Sequence, residues 1–176
     1  VRQALGVDAE VIDGMEEASL SFAGAISGIQ VIDEPVLLID CGGGSTELVL
    51  GRGSSIDSRV SLNIGSVRLR ERFLHDDPPT VEQIDDARKY VREALDSCPV
   101  DVAAARTVIG VAGTVTSLSA IGQNLTDYDR AKVHRSVLTV GQISDLAGKL
   151  LSSTVDEVEQ MGPLQRRRAA VLSGGA

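Results

Sequence analysis

The sequence predicts an α/β fold in which a mixed, five-stranded sheet is flanked by helices, and three observations support this prediction. Hydrophobic residues make up 43% of the 176 positions, which is enough to bury a core. Stretches with strand composition are separated by short turns in the first half of the chain and by helical patterns in the second. The five predicted strands are residues 9–13, 35–40, 45–53, 54–65 and 106–113.

The elements of the first half follow each other closely. After the strand at 9–13, apolar residues at a period near 3.6 predict a helix over residues 15–29. The next three strands come one after another, so we expect them to form an antiparallel meander. The first of these three, "PVLLID", is apolar almost throughout and therefore predicts a buried strand.

In the second half, helices alternate with one more strand. Thr80 is a good N-cap for a long amphipathic helix over 81–98. The strand at 106–113 runs into a helix that is expected to begin with Thr114 as its capping residue. Residues 141–172 have a helical pattern that a Gly-Pro pair divides into two segments.

Composition and charge exclude several classes of function. The net charge of -8 disfavours non-specific attraction to nucleic acid or to an anionic membrane. With two Phe, two Tyr and no Trp, the chain also lacks the aromatic platforms on which single-stranded nucleic acid stacks. No apolar run approaches the roughly 20 residues of a membrane span. Cys41 and Cys98 lack CxxC or metal-ligand spacing, which indicates a reducing cytoplasm.

A glycine-rich segment, "DCGGGSTE", joins two predicted strands and is the first candidate site. Its glycines permit positive φ and let backbone N–H groups approach an anion, as in phosphate-binding nests. Asp40 ends one strand and Glu47 begins the next, so two carboxylates suited to Mg²⁺ flank the loop. A glycine-rich hairpin without a ligand is the alternative. The candidate phosphate-binding residues are Gly42, Gly43, Gly44, Ser45 and Thr46.

Three further segments add to the candidate site. Gly113 and Thr114 follow another buried strand, and ligands of open α/β sheets bind at the carboxyl ends of strands. Glu16 and Glu17 begin the first helix, where a carboxylate that faces phosphate can activate a water molecule. Two solvated acids at a helix N-terminus are the alternative. The arginines at 166–168 are expected to form a solvated helix face, from which one side chain can reach a polyanion.

One face of the first helix carries very small residues. Glu17, Ser21, Gly24 and Gly28 are spaced at i, i+4, i+7 and i+11, so an acid stands above a furrow. Because glycine in a helix interior costs about 1 kcal/mol relative to alanine, the two glycines predict a close approach by another element.

The sequence resembles one protein family over essentially its whole length. Five stretches match in family order: "AEVIDGMEEASLSFAGA", "VLLIDCGGGSTELVLG", "LNIGSVRLRERFLHDDPPT", "VIGVAGTVTSLSAI" and "RRRAAVLSGGA". In these stretches the chain is similar to the exopolyphosphatase and guanosine pentaphosphate phosphohydrolase (Ppx/GppA) family, within the actin, sugar kinase and Hsp70 superfamily. Kinases and actins share the glycine loop but lack "GMEEAS" and "GSVRL". The resemblance implies an RNase H-like lobe of the actin-like ATPase fold.

The resemblance also implies an activity and roles for the candidate residues. It implies a phosphoanhydride hydrolase that removes terminal phosphate from inorganic polyphosphate or guanosine pentaphosphate with Mg²⁺. Glu17 matches the family's catalytic base, with Glu16 less favoured. Asp40 and Glu47 match the acids that position the metal and the water. The implied phosphate-binding residues are Gly42, Gly43, Gly44, Ser45, Thr46, Gly65, Ser66, Arg68, Gly113 and Thr114.

The chain departs from the family pattern in its extent. The family's first half, with its own phosphate loop, has no match here. Residues 1–30 are therefore expected to be the end of a first lobe with a linking helix, and residues 31–176 the second lobe. The missing N-terminal lobe is then a partner, and this segment alone is expected to be inactive. A homodimer and a cytoplasmic location are further expectations. Cys41 replaces a commoner aliphatic residue beside Asp40, which would make the site oxidisable.

Two other functions stay open from the sequence. The first is a non-catalytic relative that binds a phosphorylated nucleotide and regulates another process, although a pure binder has no need of Glu17 facing the cleft. The second is a sugar or acetate kinase of the same superfamily. The sequence also does not choose between polyphosphate and guanosine pentaphosphate, because both end in the same anhydride.

Overall fold

Four strands form one sheet in the part of the chain that the computed structural model describes, residues 6, 12–29 and 33–176. β1 pairs antiparallel with β2 and parallel with β4, and β2 pairs antiparallel with β3. The predicted mixed sheet and the meander of its first three strands are confirmed. The strands are β1 (Val36–Cys41), β2 (Thr46–Arg52), β3 (Ser55–Leu62) and β4 (Thr107–Val111), in the spatial order β3-β2-β1-β4.

The predicted number of five strands exceeds the described sheet by one. The strand expected over 9–13 falls largely on residues 9–11, which lie outside the described residues. Ile12 and Asp13 are described and form no strand. Asp13 instead caps the first helix, because its carboxylate accepts a hydrogen bond of 2.8 Å from the Glu16 N–H.

The helices follow the predicted order. Thr80 is the N-cap of α3 as predicted, and Gln83 completes a capping box with it. The N-cap predicted at Thr114 is wrong: α4 begins at Ala112, so Thr114 lies inside its first turn and Val111 is the N-cap. The helices are α1 (Gly14–Ser27), α2 (Ser66–Arg72), α3 (Val81–Asp96), α4 (Ala112–Gly122), α5 (Arg130–Val133), α6 (Val140–Leu151), α7 (Val155–Glu159) and α8 (Arg166–Leu172).

Helix α1 covers one face of the sheet. Strand residues alternate between the two faces, so β1 and β2 supply apolar side chains to both. A separate cluster joins α4, α6, α7 and α8. Of the helices in the described ranges, none is long and apolar enough to span a membrane. The buried residues on the α1 side are Ala18, Phe22, Val36, Leu38 and Val49, and those on the opposite side are Leu37, Leu48, Leu50 and Val100.

The small-residue face of α1 does not produce the predicted close approach. A Cβ built on Gly24 would meet no atom within 4 Å, and one on Gly28 would come no nearer than 4.0 Å to the Ala25 carbonyl. Both glycines instead line a groove of about 470 Å³ beside β4. The tight contact is at Gly14, where a Cβ would lie 2.6 Å from Ser61 Oγ. Of these three glycines, the one in the first turn of α1 therefore packs most tightly against the sheet.

Candidate functional site

Two acids and a serine form a row across the sheet beneath α1. Asp40 and Glu47 are register partners on β1 and β2, and Glu47 and Ser61 are partners on β2 and β3. Directly opposed residues of antiparallel strands point to the same face. That face is the one with Leu38 and Val49, which lie two residues away along the same strands. The two predicted acids are therefore neighbours on the face that α1 covers.

A serine hydroxyl holds each of these acids. Ser21 Oγ on α1 donates a hydrogen bond of 2.7 Å to Asp40 Oδ2. Ser61 Oγ donates one of 2.6 Å to Glu47 Oε1. Asp40 is half-buried and Glu47 is only 1% exposed. No ion pair among the described residues involves either acid, so no Lys or Arg of that part of the chain is paired with their negative charge.

Glu17 lies close enough to both acids to be affected by their charge. Partial desolvation, and then the negative charges of Glu47 and Asp40, raise the pKa of Glu17 above its ordinary value of 4.5. The contacts of α1 agree with this effect, because a Cβ on Gly14 would lie 3.7 Å from Glu47 Oε1 and Ser21 binds Asp40. The turn of α1 that bears Glu17 therefore lies beside both acids. Glu16 and Glu17 are both exposed, and the backbone N–H of Glu16 donates to Asp13. Glu17 lies one helical turn before Ser21, which binds Asp40, so Glu17 is the acid on the helix face toward the site.

The glycine loop is braced by helix α2. The N–H groups of Ser66 and Arg68 donate to the carbonyls of Gly42 and Gly43 at 2.9 and 3.1 Å. Arg68 Nε also donates to the Gly44 carbonyl at 2.8 Å. Ser66 and Arg68 are both predicted to bind phosphate. In the structure these donors instead form hydrogen bonds with the carbonyls of the loop.

The helix that follows the loop requires a glycine at its start for space. Among the described glycines, positive φ occurs at Gly6 and Gly53, so the loop does not use the left-handed backbone that its glycines permit. A Cβ built on Gly65 would lie 2.5 Å from Ser45 N and would also press against the Gly43 backbone. The loop and the start of α2 therefore pack backbone against backbone.

Backbone donors at the tip of the loop are available for an anion. The Gly42 N–H donates to the Ser45 carbonyl at 3.0 Å and closes the turn. Within the described residues, no backbone carbonyl accepts the N–H groups of Gly43, Gly44 or Ser45. Thr46 is different, because its buried hydroxyl donates to a backbone carbonyl at 3.2 Å. The loop thus has three consecutive N–H groups with no backbone acceptor among the described residues, which is a property that a phosphate-binding loop needs, while Thr46 stabilises the fold.

The second glycine segment contains a buried hydroxyl without a partner. Thr114 is 1% exposed, and its Oγ1 makes no hydrogen bond among the described residues. The guanidinium of Arg168 on α8 lies against Gly113, because a Cβ there would be 2.6 Å from Arg168 Cζ. Arg166 instead pairs with acids of the neighbouring helix α7. Arg168 is therefore the arginine of the 166–168 run that approaches a predicted phosphate-binding segment.

Gly175 connects the two glycine segments. A Cβ built on Gly175 would lie 2.7 Å from Thr114 Oγ1 and 3.0 Å from Ser66 Cβ. Its carbonyl accepts a weak hydrogen bond from Cys41 Sγ at 3.7 Å. Segments about seventy positions apart in sequence therefore meet at one glycine, which brings Gly113 and Thr114 to the site of the first loop.

Three residues of this site are not among the predicted ones. Ser21 has a sequence signal, because it lies one helical turn after Glu17 on the same face. Arg168 has only its place in an arginine run. Ser61 has no local signal, since its contact with Glu47 depends on the register between β2 and β3.

The acids of the site fit a divalent cation that is held in part by its substrate. Within the described ranges, no group of three or more Asp, Glu, His or Cys side chains converges on a metal position. Asp40 and Glu47 nevertheless offer hard oxygen atoms, and neither forms an ion pair in the ranges that the structure describes. Mg²⁺ is commonly held by one or two carboxylates, with waters and substrate phosphates completing its shell. The donor set therefore fits Mg²⁺.

Comparisons with known proteins agree on one family. A model of the Ppx/GppA phosphatase family matches residues 1–176. Exopolyphosphatase 2 of Mycobacterium tuberculosis (strain CDC 1551 / Oshkosh) is 43% identical over 173 residues, which are 97% of this chain and 54% of that protein. The chain thus spans about half the length of this relative.

Solved structures show the same likeness. An exopolyphosphatase-like protein superposes with a TM-score of 0.94 at 41% identity, covering 99% of this chain and 57% of that one. A Ppx/GppA family member from Aquifex aeolicus superposes with a TM-score of 0.85 at 33% identity, covering 99% of this chain and 56% of that one. These superpositions confirm the predicted fold class. Because the family model matches residues 1–176, the chain belongs to the Ppx/GppA phosphatase family.

Proposed function

We propose that the protein containing this chain is a phosphoanhydride hydrolase that releases terminal phosphate from inorganic polyphosphate, guanosine pentaphosphate or both. The observation that carries the proposal is the pair of Asp40 and Glu47 beneath the helix that bears Glu17, next to a loop whose N–H groups have no backbone acceptor among the described residues. Three carboxylates repel one another, and a polyphosphate would add to that repulsion unless a cation is present. The site is therefore suited to a substrate that arrives with a metal ion.

In this mechanism Glu17 acts as the general base. Its carboxylate takes a proton from a water molecule while the water oxygen bonds to the terminal phosphorus. The bridging bond to the next phosphate breaks in line, so orthophosphate leaves and the shortened chain keeps the bridging oxygen. The raised pKa of Glu17 makes it a stronger base than an ordinary glutamate.

The two other acids are proposed to hold Mg²⁺ and to orient the attacking water. Asp40 and Glu47 would bind the cation, which when present supplies positive charge to the phosphoryl oxygens. Ser21 and Ser61 restrict the rotation of these carboxylates through their hydrogen bonds. The N–H groups of the loop would orient the terminal phosphate.

The second glycine segment is proposed to bind the next phosphates of the substrate. Thr114 Oγ1 is buried without a partner, and Arg168 lies beside Gly113. A hydroxyl and a guanidinium together can bind phosphate oxygens with charge-assisted hydrogen bonds. Both groups belong to this lobe, so the proposed contacts do not depend on whether the substrate carries a guanosine.

The remaining half of the cleft is proposed to come from a first lobe of the same protein. Residues 31–176 would form the second lobe, and residues 1–30 the end of the first lobe with the linking helix α1. The partial coverage of the relatives supports a further part of the protein beyond this chain. This segment alone is then expected to show little or no activity. A homodimer and a cytoplasmic location stay predictions.

The test is a side-by-side assay of phosphate release by the full-length protein with Mg²⁺. Its substrates are long polyphosphate, short polyphosphate and guanosine pentaphosphate. Release from at least one of the three supports the proposal. Tight calorimetric binding of guanosine pentaphosphate without phosphate release over hours would instead support a regulatory binding protein. Formation of ADP from ATP with an acceptor would indicate a kinase.

A further inference from the structure

We infer that Ser61 is a positioning residue that fixes the carboxylate of Glu47 for metal binding, an inference that rests on the proposed function. Ser61 lies on β3, outside every glycine segment of the site. Its hydroxyl nevertheless donates a hydrogen bond to Glu47, the most deeply buried acid of the site.

The pairing of Ser61 with Glu47 depends on an irregularity in the hairpin. Near the turn, Arg52 pairs with Ser55 and Gly51 with Ile56. A register shift between Leu50 and Gly51 then moves the pairing by one residue. Without the shift, Glu47 would pair with Val60, which has no hydroxyl. Because a slip of one residue exchanges the faces of a strand, the shift puts Ser61 on the side of α1.

The hydrogen bond leaves one oxygen of Glu47 for another ligand. A serine hydroxyl donates one hydrogen, and here it donates to Oε1 at 2.6 Å. No donor among the described residues reaches Oε2. A carboxylate that is fixed through one oxygen presents the other oxygen in a defined direction. Hydrogen-bond partners of metal ligands orient those ligands in this way.

Gly14 shows that Ser61 also sets where α1 lies. A Cβ on Gly14 would be 2.6 Å from Ser61 Oγ, 2.9 Å from Ser61 Cβ and 3.7 Å from Glu47 Oε1. The first turn of α1 therefore lies directly on the Ser61–Glu47 pair, and Glu17 follows Gly14 by three residues on that turn. Ser61 thus contacts both the proposed metal acid and the helix that carries the proposed base.

The test measures metal affinity and turnover separately in the full-length protein. Mn²⁺ is titrated by electron paramagnetic resonance in the presence of inorganic phosphate, and polyphosphate hydrolysis is followed in parallel with Mg²⁺. We expect Ser61→Ala to weaken Mn²⁺ binding by about 10- to 100-fold, as for other partners behind metal ligands. Ser61→Thr, which keeps the hydroxyl, should restore most of the affinity.

Two controls separate positioning from a merely structural role. Ser58→Ala removes a half-buried serine from the same strand and should leave the Mn²⁺ affinity within about twofold. In a Glu47→Gln background, Ser61→Ala should have no further effect, because the coupled partner is already changed. Melting temperatures of all variants identify any that is unfolded during the titration.

The outcomes distinguish this inference from the proposed function. Equal Mn²⁺ affinity in folded Ser61→Ala and wild type would overturn the inference, as would a wild type that binds no Mn²⁺. If the wild type binds Mn²⁺ but hydrolyses none of the three substrates, the proposed function fails. The titration still decides the role of Ser61 in that case.

Discussion

Ser21 Oγ lies 2.7 Å from Asp40 Oδ2, and this hydrogen bond ties helix α1 to the end of strand β1. Ser21 is one turn beyond Glu17 on the same helix, so the bond connects the proposed base to a proposed metal acid. Hydrogen bonds to a charged acceptor are stronger than those between neutral groups. The separation of these two proposed site residues therefore depends in part on a single serine.

Replacing Ser21 by alanine should lower turnover without unfolding the protein. The carboxylate of Asp40 would lose its donor and rotate more freely, so we expect kcat for polyphosphate to fall by about 10- to 100-fold. Ser27→Ala is the matched control, because Ser27 on the same helix donates to the Gly24 carbonyl and to no acid. Equal kcat values in the two variants would argue against a role for Ser21.

Removing the carboxylate of Glu17 should have a larger effect. We expect Glu17→Ala to lower kcat by about 10² to 10⁴-fold, the usual contribution of a general base. Glu16→Ala is the control one residue earlier on the helix, and we expect it to stay within about twofold of wild type, as surface changes do. Unchanged turnover in the Glu17 variant would end its assignment as the base. A larger loss in the Glu16 variant would move the assignment to Glu16.

The pH dependence should follow from the raised pKa of Glu17. A base must be ionised, so the rate should fall as pH drops through a pKa that lies above 4.5. Because the pKa of Glu17 is raised in the folded state, the folded state binds this proton more tightly than the unfolded state does. The contribution of protonated Glu17 to stability is therefore present at low pH and is lost as the pH rises through the folded-state pKa. Glu47→Gln removes one of the charges that raise this pKa, so Glu17 should then titrate at lower pH.

This shift can be measured by carbon-detected nuclear magnetic resonance of the glutamate carboxyls in the metal-free protein. Glu82→Gln, an exposed change in the first turn of α3, provides the control. We expect the titration of Glu17 to move in the Glu47 variant and to stay in place in the Glu82 variant. A Glu17 titration that does not respond to Glu47 would contradict the proximity of the two groups.

The periodicity of the strands predicts much of this arrangement. In "VLLIDCGGGSTELVLG" the acids Asp40 and Glu47 lie two residues from the apolar Leu38 and Val49, so both acids share their face. The position of Ser61 is not predictable in the same way. The register shift at Leu50 changes which residue opposes Glu47, and a composition pattern does not contain that shift.

Glycine positions show a similar limit. The sequence marks Gly24 and Gly28 as the places of close approach, yet the tight position is Gly14. A glycine can lie in a turn, at a packing contact or along an open groove. Because it has no side chain, the sequence does not show which of these roles it has. Only the positions of the neighbouring elements decide this, as they do for Gly65 against the loop.

Two glycines of the first site should differ sharply when changed to alanine. Gly65→Ala would put a Cβ 2.5 Å from Ser45 N, where the neighbouring atoms are backbone and cannot move aside cheaply. We expect the free energy of unfolding to fall by about 1–3 kcal/mol or more. Gly44→Ala meets no atom within 4 Å, and its φ is not positive, so the free energy of unfolding should change by less than about 0.5 kcal/mol.

Urea unfolding of the two full-length variants measures these energies, and the KM for polyphosphate measures the effect on the loop. In Gly44→Ala the methyl group occupies space beside an available N–H, so KM should rise while stability is kept. Equal stability of the Gly65 and Gly44 variants would show that the loop and α2 are not packed as closely as described.

Thr114→Val tests whether the buried hydroxyl serves the fold or the substrate. Thr114 Oγ1 is buried and makes no hydrogen bond among the described residues, so valine removes an unpaired polar atom while keeping the shape. Such a replacement is nearly neutral or stabilising for the fold. If the hydroxyl binds phosphate, KM for polyphosphate should nevertheless rise by about tenfold, the effect of one lost hydrogen bond. Thermal unfolding and steady-state kinetics of the full-length variant measure the two effects. A stability that falls by several kcal/mol with unchanged KM would mean that the hydroxyl has a partner within the fold, and the second phosphate-binding segment would lose its strongest support.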